Sequence, residues 1–296
     1  MALKDLLLSS LPQYCETLAS GKEICFRPMT VSEEKAILIA KNSGNKQTII
    51  KTLMNIISAC FEDVTVKTLP IWDFEHMFLL LRSKSIGEIE QFKITCPETK
   101  EEVKIQINLT KDVVLKNNSK NNNKIKLSDN LLLVFKQPTI QTLLSYPNYT
   151  SSSEELYKFI GSCIKQIQNE KEIVECSELS ENETSEFIQN LTSQQFKRVI
   201  EYFDTLPLLQ IETKYQTSDE KQREIQIKGL FNYINFFFDY LSLQLFYQQN
   251  FEMKYNHKYS LNEIENMIPW ERTVYLEQIR TELNEKRQRM NNSITL

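Results

Sequence analysis

Glycine is scarce, with 5 residues in a chain of 296. That shortage disfavours folds built on glycine-lined phosphate loops. None of the patterns Gly-x-x-x-x-Gly-Lys-Ser/Thr, Gly-x-Gly-x-x-Gly or Gly-x-Ser-x-Gly occurs. Histidine is rarer still: His76 and His257 are the only two, and neither stands in a metal or triad pattern. The six cysteines, at positions 15, 25, 60, 96, 163 and 176, include no Cys-x-x-Cys pair. Thiols scattered in this way are expected to be reduced, small and buried. Long apolar runs are missing too. The richest stretch, residues 230–246, is interrupted by Asn232, Asn235, Asp239, Ser242 and Gln244, which argues against a membrane span. The opening residues carry Asp5 within a short apolar stretch and do not read as a secretory signal, so the expected compartment is the cytoplasm. Positive charge is not in excess either. Lys and Arg number 35 against 39 Asp and Glu, a net charge of −4, which argues against a protein dedicated to wrapping nucleic acid.

What is present is a succession of short, well-punctuated elements. Residues 14–18 and 23–27 read as a β-hairpin, with Gly21 placed for a positive φ in the turn. Thr30 and Glu33 form a capping box that opens a helix. Further helices follow with Ile49, Ile50, Leu53, Met54 and Ile57 on one stripe, and from Pro70 with Phe74, Met77, Phe78 and Leu81 on another. Residues 91–95 and 102–109 form a second hairpin, in which Val103, Ile105 and Ile107 alternate with polar neighbours. The run 116–126 is Asn, Lys and Ser apart from Ile125, and reads as a solvated loop insertion.

Residues 131–135 form a short apolar strand. The spacing of Leu156, Phe159, Ile160, Cys163, Ile164 and Ile167 predicts one continuous helix. In the helix opened by Thr192 and Gln195, the stripe Phe196, Val199, Ile200 and Phe203 is the expected buried face. A third hairpin spans residues 209–227, and a long aromatic helix is expected over 230–249. Ser260 caps a short helix, and a last one follows Pro269. The expected class is α+β, helix-dominated, with three segregated β-hairpins between helices. The expected units are 1–88 (hairpin plus helices), 89–137 (hairpin with the Lys/Asn-rich insertion), 138–207 (helical), 208–228 (hairpin) and 229–296 (C-terminal helices).

Acidic pairs such as Glu33-Glu34 and Glu154-Glu155 fall in first turns of helices, where they favour the positive end of the dipole. No catalytic residue is expected. Phe236, Phe237 and Phe238, with Tyr240, Phe246, Tyr247 and Phe251, are more aromatic surface than one helix can hide on a single face. Together with Trp270 and Arg272, this region is the candidate partner interface, because aromatic residues and Arg are favoured at interface centres. The alternative is that it completes the monomer core.

Four stretches, in order along the chain, carry a family resemblance. They are Leu18-Ala-Ser-Gly-Lys-Glu-Ile-Cys-Phe-Arg-Pro-Met-Thr-Val-Ser-Glu-Glu-Lys35, Trp72-Asp-Phe-Glu-His-Met-Phe-Leu-Leu-Leu-Arg-Ser-Lys-Ser-Ile-Gly-Glu88, Leu191-Thr-Ser-Gln-Gln-Phe196 with Phe203-Asp-Thr-Leu-Pro207, and Asn250-Phe251 through Tyr259-Ser260-Leu261 to Met267-Ile-Pro-Trp-Glu-Arg272. Together they resemble the baseplate hub family of T-even-type contractile-tailed bacteriophages, whose members include a hub subunit and a hub-assembly factor. In many relatives the second and third hairpins carry Cys-Pro-x-Cys pairs, as in a zinc ribbon. Here Cys96 is the one cysteine kept, so the hairpins resemble zinc-ribbon hairpins without metal, and neither metal nor cofactor is expected.

The resemblance implies a non-enzymatic structural or assembly component of the baseplate hub. Its partners would be other phage baseplate hub and tail proteins, with no nucleic acid and no membrane insertion; self-association stays open. It would lie in the host cytoplasm during assembly, and in the virion tail baseplate if retained. Three alternatives remain: a transient assembly chaperone absent from the virion, an unrecognised hub enzyme with a converging carboxylate pair, and a nucleic-acid-binding module.

Overall fold

A computed structural model describes residues 11–116, 123–239 and 242–294, with side chains as far as Met290. The expectations for residues 1–10, for the centre of the Lys/Asn-rich run and for Tyr240 lie outside these residues.

The described residues open with a hairpin at the expected place, β1 (Tyr14–Thr17) and β2 (Glu23–Phe26), in antiparallel register from Tyr14↔Phe26 to Thr17↔Glu23. Gly21 takes φ +88°, and its N–H donates to the Leu18 carbonyl at 2.8 Å, closing the turn. Three helices follow: α1 (Val31–Asn42), α2 (Lys46–Cys60) and α3 (Ile71–Ser85). The Thr30–Glu33 capping box is formed in both directions, and Asn45 caps α2 by accepting from the Thr48 N–H.

The second hairpin is β3 (Ile89–Thr95) with β4 (Glu102–Asn108). Its turn meets that of the third hairpin, β10 (Leu208–Gln216) with β11 (Gln222–Lys228). There Tyr215 Oη donates to Cys96 Sγ at 3.6 Å, Ser218 N–H donates to Glu101 at 3.0 Å, and Arg223 bridges Glu98 and Asp219 at 2.9 and 2.8 Å. The turns are thus held together by hydrogen bonds and exposed ion pairs. Among the described residues, no three His, Cys, Asp or Glu side chains are grouped to hold a metal ion.

The expectation of three segregated hairpins is wrong. The described strands form four sheets, of two, two, three and four strands. The third hairpin gains a third strand, β5 (Val113–Lys116), which pairs with β10 from Ile211↔Val113 to Leu208↔Lys116. The largest sheet has the order β6 (Lys124–Ser128), β7 (Leu131–Phe135), β8 (Ile164–Asn169), β9 (Ile173–Glu175), all antiparallel. Both ends of the supposed loop insertion are therefore strand, since Lys116 ends β5 and β6 begins at Lys124.

The continuous helix expected through Ile167 is also corrected. After α4 (Ile140–Ser145), α5 (Ser153–Ser162) stops at its cap Cys163, and Ile164 and Ile167 belong to β8. The apolar strand β7 needs ladder partners on both edges, and β8 supplies one of them. Before the stop, Gly161 lets α5 press against α6 (Glu181–Gln189). A Cβ at that position would meet Thr184 Oγ1 at 3.1 Å.

Two apolar cores result. The larger joins the N-terminal hairpin and helices to β4, β10, β11 and the C-terminal helices. The smaller lies between the four-stranded sheet, α5, α6 and α7 (Ser193–Asp204). In α7, Val199 and Tyr202 are buried, whereas Phe196, Ile200 and Phe203 are only partly so, which shifts the expected stripe by a fraction of a turn. No described helix is long and apolar enough to cross a membrane.

Candidate interaction surface

The expected aromatic helix over 230–249 is two helices, α8 (Leu230–Phe237) and α9 (Leu243–His257), the second capped by the Ser242 hydroxyl. The break divides the aromatic residues between core and surface. Phe237 and Phe238 are buried, Phe237 next to Phe92 and Arg82. Phe236 is half-buried against Phe92, with ring centroids 4.3 Å apart. Phe246 is fully buried. Phe237 and Phe246 are therefore core residues and unavailable as anchors.

Arg272 is corrected in the same way. It lies on α11 (Pro269–Ile294), which follows α10 (Leu261–Asn266), and it points inward. Its guanidinium stacks over the Phe246 ring at 4.5 Å and donates to Glu34 Oε2 at 2.8 Å and to Asn250 Oδ1 at 3.4 Å. Glu34 and Arg272 are 2% and 3% exposed, so Glu34, a first-turn acid at the positive end of the α1 dipole, is also half of a buried ion pair. Burial raises the Glu34 carboxyl, against the opposing pull of Arg272 and Arg82. The pair ties α11 to α1. The Val31 N–H donating to the Met267 carbonyl at 2.8 Å and Lys35 pairing with Glu265 at 2.7 Å tie α10 and its end to the same helix.

The remaining candidates are exposed. Tyr247 and Phe251 are 49% and 63% exposed, and Trp270 is 42% exposed. The structure adds Tyr255, at 74% the most exposed large apolar or aromatic side chain among the described residues, with its ring stacked on Phe251 at 5.4 Å. Tyr247, Phe251 and Tyr255 fall at i, i+4 and i+8, so they form a single line along the outer side of α9. That spacing was readable in the sequence. The helix expected over 230–249 stops short of Tyr255, which α9 carries. Val274 and Tyr275 of α11 and Leu261 of α10 are exposed as well.

A separate cavity of about 270 Å³ lies among α2, α3 and the start of α8, lined by Lys46, Ile71, Glu75, Leu143, Tyr149 and Leu230. Burial raises the Glu75 carboxyl to about 8, opposed by a hydrogen bond from the Leu230 N–H at the first turn of α8. Glu75 is the single carboxyl in this lining, and its hydrogen bond makes it a cap for α8.

Residues 11–237 match the family described as T4 bacteriophage base plate protein. Residues 242–284, which carry α9, α10 and the buried half of α11, match the family described as Baseplate hub assembly protein Gp51 C-terminal domain. No curated protein and no solved structure matches the chain. Since the first match spans most of the sequence, the chain belongs to the T4 bacteriophage base plate protein family and has a structural or assembly role in a phage baseplate.

Proposed function

We propose that this baseplate protein is a non-enzymatic component of the hub, and that it works by contact with other hub and tail proteins through the outer side of α9. The observation that carries the proposal is the exposed aromatic line Tyr247–Phe251–Tyr255. Large aromatic side chains left in water are disfavoured unless a partner covers them, and such residues dominate interface energetics. The line lies within the segment matching the hub assembly unit, which favours a role in assembly. A converging carboxylate pair, which a cell-wall hydrolase would need, is not met by the lone Glu75 of the cavity beside α8. The test is capture of the other baseplate proteins from cells that co-express them with the tagged chain. Phe251→Asp should abolish capture while leaving the melting temperature unchanged; unchanged capture overturns the proposal.

A further inference from the structure

Cysteines 15 and 25 face one another across β1 and β2, and their sulfurs are bonded. This departs from the expectation that all six thiols are reduced and buried. The physical reason is register: the hairpin makes the two residues direct cross-strand partners, with Cα atoms 4.1 Å apart. Both lie on the outer side of the hairpin, Cys15 exposed and Cys25 half-buried, while Ile24 and Phe26 point into the core.

The remaining four cysteines are free and shielded to different degrees. Cys60 is buried, and burial pushes its thiol up; burial likewise pushes the Cys163 thiol up to about 12. Cys176 is partly buried, with its thiol also raised. Hydrogen bonding with Thr99 lowers the Cys96 thiol to about 7, but its residue is fully buried beneath the clasped turns. Of the six cysteines only Cys15 is exposed, so a solvent thiol meets the Cys15–Cys25 bond before a free cysteine.

The hairpin that carries this bond is short, and its attachment to α3 is made by few groups. The Ala19 N–H donates to His76 Nδ1 at 2.9 Å, Lys84 pairs with Glu16 at 3.3 Å, and Lys84 lies over the Tyr14 ring at 5.4 Å. Leu18, Ile24 and Phe26 anchor the hairpin in the core, and the cross-link adds a further constraint by restricting the unfolded hairpin.

We propose that Cys15–Cys25 is a thiol–disulfide exchange site for low-molecular-weight thiols of the glutathione class, and that exchange sets whether the first hairpin is stapled. The thiolate attacks the exposed Cys15 sulfur. The protein disulfide breaks, and Cys25 leaves as a thiolate that takes a proton from water. A second thiol then attacks the mixed disulfide on Cys15, releasing the Cys15 thiol and one molecule of oxidised glutathione. Two thiols are consumed per protein disulfide reduced, and oxidised glutathione drives the reverse reaction.

The experiment equilibrates the folded full-length chain in buffers of graded reduced and oxidised glutathione, followed by alkylation and intact-mass and peptide analysis. The expected result is reversible gain of two alkyl groups, both at Cys15 and Cys25, with Cys60, Cys96 and Cys163 labelled only after unfolding. The melting temperature should fall by roughly 5 °C on reduction. The Cys15→Ser/Cys25→Ser variant should show no dependence on glutathione, and Cys25→Ser alone should accumulate one glutathionyl group on Cys15. The proposal is overturned if the bond is absent at every glutathione ratio, if it reduces only in unfolded protein, or if a buried cysteine is labelled as fast as Cys15.

Discussion

Arg272→Met removes the cation of the buried pair while keeping most of the side-chain volume against Phe246 and Asn250. In the wild type the two charged groups are 2.8 Å apart and almost fully removed from water. Losing one partner of such a pair leaves an uncompensated buried charge, which costs about 3–5 kcal/mol. Glu34 can limit that cost by taking up a proton, and burial already raises its pKa. The sign follows from linkage. With its folded pKa raised above the unfolded value, Glu34 binds more protons in the folded state, so the variant loses stability as pH rises through the folded pKa. The deficit relative to wild type should therefore grow as pH rises above the ordinary carboxylate range. Adding Glu34→Leu removes the stranded acid and should recover most of the loss, because apolar replacement of a whole buried pair is often near neutral. Denaturant melts of the wild type, both single variants and the double variant give the coupling energy directly. A single-variant loss below about 1 kcal/mol, or a double variant whose loss equals the sum of the singles, would refute the buried-pair account.

His76 accepts the Ala19 N–H, and burial lowers its pKa. Its contribution is thus present above the unfolded value of about 6.5 and is lost as pH falls below it, so His76→Gln should flatten the drop in stability between pH 7 and pH 5; an unchanged slope argues against the docked neutral imidazole. Replacing residues 117–122 with a short Gly/Ser linker should leave the melting temperature nearly unchanged in a thermal scan, provided that Asn123 stays, since its carbonyl accepts the Phe135 N–H at 2.8 Å. A loss of several degrees would show that the deleted residues join a core. Phe196→Ala should cost about 1–2 kcal/mol in denaturant melts, less than full burial would imply, because the ring is half-buried at the edge of Tyr157; a loss of about 4 kcal/mol would place it in the core.

Local punctuation was the legible part of the fold. The capping boxes at Thr30, Thr192 and Ser260 are all formed, and local alternation marks the strands β1, β2, β3, β4, β10 and β11 but not the three- and four-stranded sheets. What local pattern did not contain was pairing between distant segments. Val113, Val114 and Leu115 carry no period that announces β10 as a partner nearly a hundred positions later. Ile164 and Ile167 fit a helical stripe by spacing, yet the unsatisfied edge of β7 outweighs that preference. The candidate surface failed and succeeded for the same reason. Arg272 is taken inward by a carboxylate 238 positions away, and no window of sequence shows that pairing. Tyr247 and Phe251 stay outside because Phe246, Asn250 and Met253 already fill the inner side of α9.

Substitution at Phe251 and Tyr255 tests most directly whether the outer side of α9 is a binding face. The Phe251→Ala/Tyr255→Ala variant removes two exposed, stacked rings and leaves the buried Phe246–Arg272–Glu34 contacts untouched. Quantitative binding to the purified baseplate partner captured by the wild-type chain, measured beside the melting temperature, should show affinity falling at least about a hundredfold. The melting temperature should stay within a degree or two. A variant that binds like the wild type, or one that unfolds before binding can be measured, would contradict the assignment of this surface.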